Sequence, residues 1–211
     1  KRILAFSDPV GVSIEIGSGP GFLKSAMPNL ICTDIEIGPT VDCLADAFQL
    51  PFKNNSVDAF IGVDVLHHFD QAGSFFEMAS LSLKPGGRII FIEPWAGSFG
   101  YLFYRFVHHE DCARVETPFG PAFNGDKSPM DGNAMIARQC LVESETQLRS
   151  YGFETTHRSF FGCLSYLLTG GFQPWSAPKQ IIKVLLKIEK LLPQPLMRII
   201  GVRMMIVLKK I

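Results

Sequence analysis

Ile14-Glu15-Ile16-Gly17-Ser18-Gly19-Pro20-Gly21-Phe22 is the stretch on which the fold turns. A short apolar run enters three alternating glycines. Glycines let the backbone turn tightly and let a ligand come close with no Cβ in the way. The spacing predicts a strand, a loop and then a helix over 22–27, whose free N–H groups suit a carboxylate or phosphate. Two cofactor classes use such loops. The dinucleotide fingerprint G-x-G-x-x-G requires a small residue where this chain has Phe22. No Tyr-x-x-x-Lys pair occurs either, so a nicotinamide reductase is disfavoured.

The first 95 residues alternate between two kinds of segment. β-rich runs lie at 12–16, 30–33, 57–63 and 88–92, with a weaker one at 41–44, and helix-compatible stretches separate them. The best marked helix spans 73–83, where Phe75, Phe76, Ala79, Leu81 and Leu83 precede the stop Lys84-Pro85-Gly86-Gly87. Alternation of this kind implies βαβ units and a parallel sheet, with ligands beyond the carboxyl ends of the strands. Residues 95–141 break the pattern with glycine, proline and aromatics. A helix over 143–151, a strand over 154–159, a second interruption over 160–201 and a last strand over 203–208 follow.

Acidic residues stand at ordered positions behind the glycine loop. Asp34 ends the second strand, thirteen residues beyond Gly21, where a carboxylate can accept from both hydroxyls of a ribose or merely cap a turn. Asp46-Ala47 follows the third strand, where a carboxylate and a free N–H can read an adenine edge or form a plain turn. With these on the page, the chain resembles the class I S-adenosylmethionine-dependent methyltransferases, nearest the type 11 branch that includes ubiquinone/menaquinone-biosynthesis enzymes. The resemblance is carried by E-I-G-S-G-P-G, T-D-I-E, D-A-F-Q-L-P-F, S-V-D-A-F-I-G-V-D-V-L-H-H-F and L-K-P-G-G-R-I-I-F-I-E-P. It implies S-adenosylmethionine as cofactor and S-adenosylhomocysteine as product. It implies further that Glu15, Gly17, Gly19 and Gly21 surround the methionine end, and that Asp34 holds the ribose with Ile35 on the adenine. Asp46 and Ala47 would meet the adenine edge, and Asp64 and Val65 would line the floor near the sulfonium. The fold it implies is α/β: a Rossmann-like three-layer sandwich on a mostly parallel seven-stranded sheet, order 3-2-1-4-5-7-6, its last strand antiparallel. Residues 1–211 are expected to form one domain, with lid or substrate insertions over 95–141 and 160–201.

Composition narrows the rest. The chain has 211 residues, 47% apolar and 19% charged, enough for a sizeable core. Twenty basic and twenty acidic residues cancel, which argues against a nucleic-acid partner. The balance is uneven along the chain. Residues 179–211 hold eight basic residues against Glu189 alone, a balance of +7, which leaves −7 for the preceding residues. Five cysteines without a C-x-x-C pair or a close Cys/His cluster argue against a disulfide framework or structural zinc, and point to a reducing, cytoplasmic setting. Only four apolar residues follow the basic start, too few for a signal peptide. No metal-ligand set is expected.

Methyl transfer from a sulfonium is an in-line displacement that asks for alignment, desolvation and, for a hydroxyl acceptor, a base. On the acceptor side, His67-His68 closes the fourth strand near where substrate should approach, either meeting the acceptor or in a structural or positional role. His108, His109 and Glu110 sit in the first insertion behind Tyr101, Tyr104 and Arg105, where a histidine oriented by Glu110 can serve as base or the group can form a solvated turn. Glu93 can bind an acceptor hydroxyl or cap a loop. Residues 179–192 place Lys179, Lys183, Lys187 and Lys190 on one stripe of a helix with a wide apolar face, preceded by an apolar stretch that includes Phe160, Leu164, Phe172 and Trp175. Three readings stay open for it: a cap packed on the domain, a helix lying on an anionic membrane, or a homodimer interface. The apolar insertions favour a small-molecule, lipid-like or glycan-linked acceptor. A catalytically inactive S-adenosylmethionine-binding module acting through partners is the alternative.

Overall fold

Period-two alternation builds the sheet in the computed structural model, which describes residues 2–7, 11–123, 125, 127–169 and 175–211. Along β4 (Val57–Val63), β5 (Leu83–Pro94) and β7 (Arg203–Lys210), Phe60, Ile89, Phe91, Met204, Ile206 and Leu208 turn to one face, while Ile61, Ile90, Met205 and Val207 turn to the other. With β1 (Ser13–Ile16), β2 (Ile31–Asp34), β3 (Cys43–Leu44) and β6 (Phe153–Phe161) they form one seven-stranded sheet, order β3-β2-β1-β4-β5-β7-β6. Pairs from β3 to β5 are parallel; β7 is antiparallel to both β5 and β6. This is the expected order. The tight hairpin between the last two strands is replaced by α5 to α7, described below.

The first face is filled by aromatic rings. Phe75 and Phe76 of α1 (Ala72–Ser82) lie fully buried on the sheet, Phe75 with ring centroids 6.2 Å from Phe60 and 5.7 Å from Phe91. Ile136 and Ala137 of α3 (Ala134–Arg138) and Leu148 of α4 (Glu145–Ser150) extend that layer. A π-helical turn over Gln139–Glu143 continues α3, and the non-helical Ser144 separates it from α4, which lies within the helix expected over 143–151. On the second face Ile3, Leu30 and Cys32 join the outward residues of β4, β5 and β7, with Leu23 and Met27 packed against them.

Three expectations are corrected. No helix forms over 22–27; the segment makes isolated turns, such as Lys24 N–H to the Gly21 carbonyl at 3.1 Å. Gly21 holds φ +70° before it and Pro28 pushes Met27 out of the α region behind it, too short a span to nucleate a helix. Strand five opens at Leu83 rather than residue 88, with Lys84 to Gly87 absorbed as a register slip against β4. The insertion over 95–141 is not irregular throughout. It contains α2 (Ser98–Phe106), whose apolar period was hidden among glycines and aromatics, and α3. The second insertion carries α5 (Leu164–Leu167), α6 (Lys179–Glu189) and α7 (Gln194–Ile200); Phe172 lies outside the described residues.

Truncating Phe75 removes a ring from the centre of this layer. Phe75→Ala is expected to cost about 3–5 kcal/mol in chemical denaturation. Phe22→Ala, at a side chain 79% exposed, is expected to change stability by less than about 0.5 kcal/mol.

Candidate active site

The carboxyl edge of the sheet gathers one residue from each neighbouring strand. Register pairs Ile16 with both Thr33 and Gly62, and Ile92 with Val63, so Gly17, Asp34, Asp64 and Glu93 open the loops of adjacent strands. Because β7 runs the other way, its first residue, Arg203, reaches the same edge opposite Pro94. A cleft of about 1,040 Å³ lies there, lined by the glycine loop, Asp34 to Val41, Ala45 to Phe48 and Val63 to Val65, with His68 at one end. A smaller hollow of about 290 Å³ lies against α4 and β6, away from the glycine loop.

Local geometry explains the glycines. Gly17, Gly19 and Gly21 hold φ of +63°, +48° and +70°, a region that disfavours side chains. A Cβ at Gly17 would stand 2.5 Å from Val65 Cγ2, and one at Gly21 would stand 2.3 Å from Thr40 Oγ1. A Cβ at Gly19 would meet nothing within 4 Å. Gly17 and Gly21 are therefore glycines for packing, whereas Gly19 leaves space open on the cleft. The Gly19 N–H donates to Asp34 Oδ2 at 2.9 Å, and the Glu36 N–H donates to Oδ1 at 3.2 Å. Asp34 is thereby oriented with both oxygens still able to accept. Asp46 accepts from the Phe48 N–H at 2.8 Å, and the neighbouring Ala47 is buried. Ile35 is exposed beside them on the cleft wall.

Glu15 is 4% exposed, and among the described residues its carboxylate has one hydrogen-bond partner, the Cys32 thiol, which donates to Oε2 at 3.6 Å. Burial raises its pKa to about 7, with Asp34 adding to the rise. A buried acid without a fixed cation suits an ammonium group arriving with a ligand. Together with the open approach at Gly19, this fits a cofactor that brings a methionine end and a ribose.

At the other end, Asp64 adopts φ +55° and forms a two-pronged ion pair with Arg203, whose Nη2 donates to Oδ2 at 2.8 Å. Burial works against the Arg203 charge, yet Asp64 raises its pKa further above the usual guanidinium range. Arg203 also lies 5.3 Å over the Tyr166 ring, which ties the cleft floor to α5. The fully buried Glu93 accepts from the Val65 and Leu66 N–H groups at 3.0 and 2.8 Å and pairs with His67 Nδ1 at 2.7 Å.

Glu110 comes across from the first insertion to His67. Its Oε2 lies 3.3 Å from His67 Nε2 and 3.7 Å from His108 Nδ1; its Oε1 lies 4.0 Å from His68 Nε2 and 3.9 Å from His109 Nε2. Burial disfavours the His67 charge, but Glu110 and Glu93 outweigh it and lift the pKa to about 9. Burial disfavours the Glu110 charge too, but His67 outweighs it and lowers the pKa to about 2. His68 and His108 are shifted down by burial. The three acceptor-side candidates thus sit together, with His109 73% exposed at the rim and His108 against Phe103 and Tyr104. Arg203 joins the site without having been picked out as functional, and His67, weighed between a structural and an acceptor-side role, joins it through Glu93 and Glu110. The register of the last strand held the signal for Arg203. Nothing local pointed from His67 to Glu110, forty-three residues away.

Comparison with known proteins agrees with this geometry. Residues 14–91 match the family described as a methyltransferase domain. A search of curated proteins by sequence returns no match. Among solved structures, an S-adenosylmethionine-dependent methyltransferase from Archaeoglobus fulgidus is 18% identical, covering 99% of this chain and 90% of that one at TM-score 0.60. A possible histamine N-methyltransferase from Thermotoga maritima is 18% identical, with coverage of 99% and 86% and TM-score 0.59. An S-adenosylmethionine-dependent methyltransferase from Mesorhizobium loti is 15% identical, with coverage of 99% and 96% and TM-score 0.57. These likenesses establish the fold. Residues 14–91 thus match a methyltransferase domain, and the whole chain has the fold of S-adenosylmethionine-dependent methyltransferases.

The pKa of Glu15 sets a pH dependence. Its folded value of about 7 lies above the ordinary 4.5, so the folded protein holds the extra proton and loses stability as pH rises between those values. Glu15→Gln is therefore expected to melt with the wild type near pH 4 and roughly 2–4 °C higher for each kcal/mol relieved at pH 8. Affinity for S-adenosylhomocysteine, which brings an ammonium, is expected to weaken in the wild type as pH falls from 8 to 6, and to be weaker but flat in the variant.

Proposed function

We propose that this protein transfers the methyl group of S-adenosylmethionine to a lipid-like acceptor met at a membrane surface. The observation that carries the acceptor class is a repeated pattern on the helices of the two insertions. Phe99, Leu102 and Phe106 on α2 and Ile181, Val184 and Ile188 on α6 follow the spacing i, i+3, i+7, Leu196 and Ile199 on α7 follow i, i+3, and each is more than one third exposed. Side chains at that spacing form one stripe of a helix. None of the α6 residues is buried, and Lys179, Lys183 and Lys187, with Lys190 just beyond the helix end, form a stripe opposite the apolar one. A basic, exposed, apolar helix suits anionic lipid better than water. No helix among the described residues is long and apolar enough to cross a membrane, so the contact proposed is peripheral. Five free thiols fit a reducing, cytoplasmic setting.

In this reading Glu15 takes the methionine ammonium, Asp34 the ribose hydroxyls, Ile35 the adenine face, and Asp46 with the Ala47 N–H the adenine edge. Asp64 and Val65 form the floor where the methyl group is delivered. When bound, S-adenosylmethionine supplies a methyl group on an already activated leaving group. The protein's own work is alignment, exclusion of water and removal of a proton from a hydroxyl acceptor. The Asp64–Arg203 pair keeps the floor close to neutral, so that a fixed charge does not compete with the acceptor for the sulfonium. Among His108, His109 and Glu110, the half-buried His108, paired with Glu110, is the proposed proton acceptor, in preference to the exposed His109.

Two measurements test the reading. Sedimentation with phosphatidylglycerol vesicles should capture the protein at low salt and release it as salt rises. Glutamine at Lys179, Lys183, Lys187 and Lys190 should weaken capture at least tenfold, at ~1 kcal/mol per lysine. Methyl-labelled S-adenosylmethionine should then label long-chain hydroxyl acceptors held in those vesicles. Transfer confined to water-soluble acceptors would contradict the lipid reading. Cofactor binding without any transfer would favour the non-catalytic module.

A further inference from the structure

Four of the five histidines of this chain surround one carboxylate, that of Glu110. Their arrangement exceeds what an ion pair with His67 requires. His67 Nδ1 is held by Glu93 Oε2 at 2.7 Å, and His68 Nδ1 is held by the Asp131 backbone carbonyl at 3.1 Å. Each acceptor fixes the proton on Nδ1 and leaves Nε2 of both rings aimed at Glu110. A metal-ligating histidine is oriented in this way, its second nitrogen donating to a carboxylate or a backbone carbonyl. Gly132 presses on the pair from behind: a Cβ there would stand 2.9 Å from His68 Cε1 and 3.0 Å from His67 Cδ2. The rings are fixed by packing as well as by hydrogen bonds.

The distances suit an ion. His67 Nε2, His68 Nε2 and a Glu110 oxygen all lie within 4.8 Å of one another, the His67–Glu110 pair at 3.3 Å. Ligands about 2.0–2.1 Å from a tetrahedral zinc stand about 3.3–3.4 Å apart, so the third group needs to close by at most about 1.5 Å. We propose that His67, His68 and Glu110 bind a divalent first-row metal ion through two imidazole nitrogens and one carboxylate, with Glu93 and the Asp131 carbonyl as the outer supports.

Three protein ligands leave a four-coordinate ion one open position. His67 is 2% exposed, whereas His68 and Glu110 are 17% and 15% exposed, so the cluster opens on the side of His68, which lines the cleft. Resting on the methyl-transfer reading, the open position would take an oxygen of the acceptor, which makes a hydroxyl or carboxylate compound the favoured class. Ion binding itself does not depend on that reading.

The test uses the whole chain, stripped with chelator and titrated calorimetrically with Zn²⁺ alone. One ion per chain at micromolar affinity or tighter is expected. His68→Ala and Glu110→Gln should each weaken it at least tenfold, while His157→Ala, at the fifth histidine on β6, should leave it unchanged. Cobalt in place of zinc should give the visible bands of a four-coordinate ion, lost in Glu110→Gln. S-adenosylhomocysteine titrated into the same samples shows that the variants are folded and separates the two ideas. A chain that binds S-adenosylhomocysteine but no Zn²⁺ overturns the ion site. Zn²⁺ binding that survives both cluster variants, or falls equally in His157→Ala, overturns it too. A chain that binds Zn²⁺ but not S-adenosylhomocysteine contradicts the cofactor reading alone.

Discussion

A carboxylate with no access to water must find donors inside the protein or lose its charge. Glu93 meets that demand with the backbone N–H groups of Val65 and Leu66 and with His67 Nδ1, all within 3.0 Å. Much of the acceptor end depends on this one group. It ties the end of β5 to the loop leaving β4, so it sets where Val65 lies beneath Gly17 and how the His67 ring faces the first insertion. Through His67 it also reaches Glu110, which draws the chain after α2 back over the cleft. Removing the carboxylate would orphan two buried N–H groups and a charged imidazole together, each costing about 1–3 kcal/mol or more.

The site therefore has two halves of different origin. The half proposed for the cofactor is built from loops that each directly follow a strand of the parallel sheet, with glycines where backbone must pass close to Val65 and Thr40. The acceptor half is assembled from side chains far apart in the chain: His67 with Glu110, and Asp64 with Arg203. Helices of the two insertions carry the apolar stripes outside it. Such a division lets one cofactor platform serve different acceptors, since the second half can change without disturbing the first.

What could be read before the structure follows the same line. The positions of Gly17, Asp34 and Asp64 at one edge were legible because each rests on local spacing within 95 residues, whereas the strand order and the antiparallel last strand came from the family resemblance. The helix expected after Gly21 failed because Pro28 limits a segment already turned by a positive-φ glycine. α2 was missed because its apolar stripe faces outward and its glycines and aromatics resemble those of a loop. Glu93 offered two roles on sequence grounds; its burial decides for the cap and adds a partner, His67. The convergence on Glu110 was not legible at all, because it depends on how the first insertion folds back on the sheet.

The central claim is that the glycine edge and Asp34 form a working S-adenosylmethionine site. Calorimetric titration with S-adenosylhomocysteine, beside an Asp34→Ala variant, tests it most directly. The wild type should bind one ligand at micromolar affinity or tighter. The variant, losing charge-assisted bonds worth ~1.5–3 kcal/mol, should bind about 10- to 100-fold more weakly while melting normally. Well-folded wild type that takes up no ligand, or a variant that binds as tightly as the wild type, would contradict the account.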